Sequence, residues 1–151
     1  MKIKRATTEP FFASITIGAM HGYTNDKIFE KDIIEFIQTH QERLIEELHL
    51  YLSVCLSECK IILSGQVEPH YKLSFINYPR FPSMTEIMRK EVEELAKALM
   101  EKFDQNRIVI EFPEETVMFE QSDKVDHRIK GDPQILNRLT EISAEESGDA
   151  F

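Results

Sequence analysis

The stretch KIILSGQVEPHYKLSFIN, residues 60–77, decides the fold. It holds two apolar runs, KIILSG (60–65) and YKLSFIN (71–77). The polar segment between them has Gly65 at its start and Pro69 inside. Together they read as two strands joined by a hairpin loop over 65–70. Toward the N-terminus, from about Asp26, the residues Phe29, Ile33, Phe36, Ile37, Leu44, Ile45 and Leu48 recur mostly at steps of three and four, the spacing of a helix face. Before that helix, Ala13, Ile15, Ile17 and Ala19 alternate with Ser14, Thr16 and Gly18, so 11–19 reads as a strand with one buried face. Toward the C-terminus, Met88, Val92, Leu95, Ala96, Leu99 and Phe103 form a second helical stripe. Ile108, Ile110 and Phe112 then alternate as a closing strand.

The resulting order, β-α-β-β-α-β, is the split βαβ arrangement. We therefore expect an α+β, ferredoxin-like sandwich: an antiparallel sheet with two helices on one face. The order resembles a superfold that includes PII-type signal proteins, divalent-cation tolerance proteins and dimeric α+β-barrel proteins. The likeness covers 11–112, rests on element order alone and carries no functional residue across.

Local signals refine the boundaries. Thr24, Asn25 and Asp26 are good N-cap types for the first helix. From Leu48 to Leu56 the apolar residues fit either a helix face or an alternating strand; we read helix to about Leu48 and a long strand over 51–65. SMTE (83–86) has the form of a capping box for the second helix. Pro113 turns the chain, and 116–120 can add a fifth strand as a hairpin. We place the domain at 1–120 and an acidic tail at 121–151, with a short helix over 132–143.

The composition narrows the function classes. The net charge is −9, divided as −3 over 1–113 and −6 over 114–151. No dense basic face is visible beyond Lys2, Lys4 and Arg5, so nucleic acid is not an expected partner. No apolar run is long enough to cross a membrane, and no signal peptide is legible. Cys55 and Cys59, spaced C-x3-C, match neither a redox nor a zinc pattern. We expect reduced thiols and a cytoplasmic location. The five histidines lack metal-ligand spacing, and no metal or cofactor is expected.

Two clusters are candidate ligand-binding residues. His21, Tyr23, Thr24 and Lys27 occupy the loop between the first strand and the first helix, where free amides and the helix dipole suit an anion. His70, Lys72 and Arg80 surround the third strand, and Arg suits carboxylate or phosphate recognition. No nucleophile elbow or acid–base pair accompanies them. We therefore expect a non-catalytic, regulatory homo-oligomer, dimer or trimer, that binds a small anion such as a nucleotide. The alternatives are a small enzyme using His21 or His70 as base with Arg80, and an interaction module that docks a protein through 121–151.

Overall fold

The computed structural model describes residues 1–125. Its elements are β1 (Phe12–Gly18), α1 (Glu30–Leu48), β2 (Val54–Leu63), β3 (Gln66–Ile76), α2 (Thr85–Lys102), β4 (Arg107–Glu111) and β5 (Thr116–Glu120). The strands form one antiparallel sheet in the order β2-β3-β1-β4-β5. This is the ferredoxin-like arrangement, with β5 added at one edge. The short helix expected over 132–143 lies outside the described residues.

Alternation explains why the sheet has one dry face. Ala13, Ile15 and Ile17 of β1, Tyr71, Leu73 and Phe75 of β3, and Ile108 and Ile110 of β4 are all buried. They meet Ile33, Ile37 and Leu44 of α1 and Met88, Val92, Leu95, Ala96 and Leu99 of α2 in one cluster. Burying each of the Val, Leu, Ile, Phe and Met side chains among them stabilises the fold by roughly 1.5–3 kcal/mol. The Tyr71 hydroxyl, inside this layer, donates to the Ile28 carbonyl across 3.0 Å and ties β3 to the approach of α1. Burial, then Glu58 and Glu30, hold its pKa above the ordinary tyrosine value.

The helix ends are made differently from what the sequence signals predict. α1 stops at Leu48 because His49 takes a left-handed conformation, φ 52°, while the His49 and Leu50 amides bond back to Ile45 and Leu44. Asp26 does not cap α1; Phe29 is its N-cap, without a side-chain bond. The Thr24 hydroxyl instead donates to the His21 carbonyl and accepts from the Asp26 amide, closing a local turn. The capping box at Ser83 does not form either. The Ser83 amide and carbonyl are both bound by the side chain of Asn77, at 3.0 Å each, and α2 begins with Met84 as N-cap.

The hairpin is tighter than expected. Ser64 and Gly65 alone make the turn, with φ of 49° and 79°, and the ladder runs from Leu63↔Gln66 onward. Two positive φ values match the twist of a two-residue hairpin. Pro69 therefore lies within β3 and not in a loop. Its carbonyl accepts from the Ala19 amide, just past the end of β1. In an antiparallel strand a residue's N–H and C=O point to the same side, so the missing donor of Pro69 falls where β1 has ended and costs no ladder bond with β2.

Candidate functional site

The face of the sheet away from the helices carries a hollow, and strand register explains it. Gly18 lies opposite His70 on β3, and His70 lies opposite Cys59 on β2. The β1–β4 register, Ser14↔Glu111 and Thr16↔Val109, continues to place Arg107 on the other side of Gly18, and Arg107 pairs with Glu120 on β5. The row across the open face is thus Cys59, His70, Gly18, Arg107, Glu120. The middle position has no side chain.

Above Gly18 is a cavity of about 420 Å³, within the size range of small-molecule sites. One wall is the overhanging β2–β3 hairpin, with Ile61, Glu68 and His70. Another is the loop after β1, ending at Tyr23. The third is formed by Gln105, Asn106 and Arg107, and Glu111 lies farther along β4.

Gln105 fixes the floor. It is only 6% exposed. Its Oε1 accepts from the Gly18 amide at 3.2 Å, and its Nε2 donates to the carbonyls of Met20 at 2.7 Å and Phe103 at 3.0 Å. One side chain thereby satisfies three backbone groups where two loops meet.

His70 has a defined orientation. Its Nδ1 lies 3.2 Å from the Glu68 carbonyl, which can only accept, so Nδ1 carries the proton. In the neutral ring Nε2 is then an acceptor, and it is the His70 atom nearest to where a Cβ on Gly18 would stand.

At the rim, Arg107 forms an ion pair with Glu120 through Nε and donates through Nη1 to the Tyr23 hydroxyl at 2.6 Å. Asn106 Nδ2 donates to the same hydroxyl at 3.1 Å. Both also bond the chain that follows β5, at the carbonyls of Ser122 and Lys124.

The residues singled out from sequence do not converge on one point. Tyr23 and His70 line the cavity over Gly18. His21 faces a separate hollow with Asp32, Glu35 and Lys102, its ring 6.1 Å from that of Phe103. Lys27 lies with Cys59 and His70 along a third depression. Lys72 is on the open face between Thr16 and Ser57. Thr24 is occupied by its own turn. Arg80 is exposed beyond the opposite end of β3. Sequence reasoning missed Glu68, Gln105, Asn106, Arg107 and Glu111. The usable signal was topological: in this strand order the end of β1 lies beside the starts of β3 and β4. Among the described residues, no group of three or more His, Cys, Asp or Glu side chains is placed to hold a metal.

No protein-family model and no curated protein matches the sequence. Solved structures do match the fold. A phage SAM lyase in complex with S-methyl-5′-thioadenosine superposes with a TM-score of 0.60 at 18% identity, covering 80% of this chain and 97% of that one. A phage SAM lyase in its apo state gives 0.58 at 17% identity, covering 81% and 98%. The likeness establishes the shared α+β fold. It also corrects the expectation of a non-catalytic regulatory protein, since both structures are of an enzyme. The ligand bound there is a nucleoside-like small molecule. Among the described residues, no helix is long and apolar enough to cross a membrane.

Proposed function

We propose that this protein is an enzyme that binds a sulfonium nucleoside of the S-adenosylmethionine type in the open-face cavity and cleaves it as a lyase. The observation that carries the reading is the cavity over Gly18, on a fold that it shares with a SAM lyase over four fifths of the chain. Its walls suit such a ligand. Glu68 and Glu111 supply carboxylates toward a positively charged sulfur. Ile61 and Val109 offer apolar surface for a thioether, and His70 Nε2 offers an acceptor for an amine or ribose hydroxyl. Cleaving a carbon–sulfur bond of a sulfonium leaves both electrons on sulfur, as a neutral thioether. The vacated carbon takes its electron pair from within the substrate, so no water is consumed. The site's work is then to hold the reactive conformer and balance the charge.

The direct test is incubation of the purified chain with S-adenosylmethionine, with chromatography for S-methyl-5′-thioadenosine. Product formation above the uncatalysed rate, reduced about tenfold or more in Glu111→Gln, supports the reading. Absence of both turnover and calorimetric binding removes it.

We further infer a homo-oligomer in the cytoplasm. Phe12, Ile61, Leu63, Ile76 and Met118 stand exposed on the open face, where a second copy of the chain would cover them. The free thiols of Cys55 and Cys59 suit a reducing compartment. Sedimentation velocity tests the first point: a monomer at micromolar concentration removes it.

A further inference from the structure

The geometry points to a carboxylate subsite at the rim of the cavity, formed by Tyr23, Asn106 and Arg107 and held in the free protein by the backbone carbonyl of Lys124. It rests on the reading that the cavity takes a nucleoside bearing an amino-acid arm.

Three donors converge on the Lys124 carbonyl: Arg107 Nη1 at 2.7 Å, Asn106 Nδ2 at 2.9 Å and the Tyr23 hydroxyl at 3.1 Å. A carbonyl oxygen has two lone pairs, one fewer than the donors aimed at it. The Asn106 amide has the converse mismatch. Its two hydrogens face three acceptors, the Tyr23 hydroxyl and the carbonyls of Ser122 and Lys124. Made together, these bonds must be shared as three-centre contacts, weaker than separate bonds. A carboxylate has about four acceptor positions and a full negative charge, and it matches the guanidinium fork better than a neutral carbonyl does.

The rest of the arrangement agrees. Glu120 occupies the Nε side of Arg107, so the Nη edge is the one turned to the strap. The strap, 121–124, is exposed throughout and anchored by the Gln121 amide on the Asn106 carbonyl at 2.9 Å and by the Ser122 hydroxyl on Asn106 Oδ1 at 2.8 Å. Solvent-exposed bonds of this kind exchange for water at small net cost. The three donors belong to residues that line the cavity. The Lys124 carbonyl thus stands in for a ligand oxygen and yields to it.

The test is two-dimensional NMR of the full chain with three probes, following the Asn106 side-chain amide and the Lys124 and Gly18 backbone amides. S-adenosylmethionine has the carboxylate, S-methyl-5′-thioadenosine lacks it, and L-methionine has it without the nucleoside. We expect S-adenosylmethionine to shift all three signals, S-methyl-5′-thioadenosine to shift Gly18 alone, and L-methionine to shift Asn106 and Lys124. Arg107→Gln and Asn106→Ala should each weaken S-adenosylmethionine about tenfold or more while leaving S-methyl-5′-thioadenosine within about twofold. If both nucleosides shift Gly18 and neither moves Asn106 or Lys124, the subsite is overturned and the nucleoside reading survives. If neither nucleoside moves Gly18, that reading is lost. L-methionine then decides the subsite alone: shifts at Asn106 and Lys124 retain it, and their absence overturns it.

Discussion

The Gly18 amide donates to Gln105 Oε1 at 3.2 Å, and a Cβ on Gly18 would stand 2.8 Å from that same oxygen. The next obstacle outside Gln105 is His70 Nε2, at 3.9 Å. Position 18 therefore holds the floor open and donates the bond that fixes it. Gly18→Ala should displace Gln105, cost about 1–3 kcal/mol and weaken ligand binding. Urea unfolding and calorimetric titration of the variant measure both; unchanged values for both would show that the contact does not define the floor.

Gln105 and Asn77 offer a paired comparison. Each is a buried amide side chain serving three backbone groups, Gln105 at the cavity and Asn77 at the other end of β3, where it holds Glu9 and both sides of Ser83. Replacing either with Ala leaves part-buried backbone groups without that partner, at about 1–3 kcal/mol. Binding should fall only in Gln105→Ala. Equal loss of binding in Asn77→Ala would mean that general loosening, and not local geometry, controls the site.

His40 should make stability sensitive to acid. Its Nε2 is buried with no hydrogen-bond partner, and burial holds the imidazole below its ordinary value of 6.5. Arg43 on α1 pushes it the same way, and Glu94 on α2 opposes both. The unfolded chain then binds the proton more readily than the folded one. No penalty exists well above pH 6.5; it grows as pH falls through that value and levels off below the folded pKa. Denaturant midpoints of the parent chain and His40→Gln, compared between pH 8 and pH 5, should diverge only at the acid end. A constant difference would assign the effect to packing.

The turn at Ser64 and Gly65 sets the wall beside Ile61 and Glu68. Gly65 has a φ of 79°, a left-handed value unfavourable for a residue with a Cβ. Gly65→Ala should cost about 1 kcal/mol and increase amide exchange in the hairpin tip before the rest of the sheet. Uniform exchange changes would contradict this localisation.

What the sequence disclosed and what it hid divide along physical lines. Ile15, Ile17, Ile108 and Ile110 advertise their strands because alternation with a buried face is a local property. The α2 stripe does so for the same reason. The end of α1 was legible only to within its ambiguous 48–56 stretch, because His49 adopts a conformation that glycine would have announced. The hairpin loop reads too long, 65–70, because Pro69 normally breaks a ladder, and only the length of β1 makes it harmless. The cavity was hidden most deeply. Gly18, His70 and Arg107 are far apart in sequence and become neighbours through register. Asn106 joins them only because β5 and the strap arrive beside it.

The division of the sheet into a dry face and an open one has an evolutionary consequence. Thr16, His70, Arg107, Val109 and Glu111 line the hollow from strands and lie on the face away from the packed layer. Substitutions there leave the buried cluster between sheet and helices untouched. Such a scaffold can drift to new substrates by single steps, each tolerated by the fold before it becomes useful, and its relatives can keep the same shape long after their sequences have ceased to resemble one another.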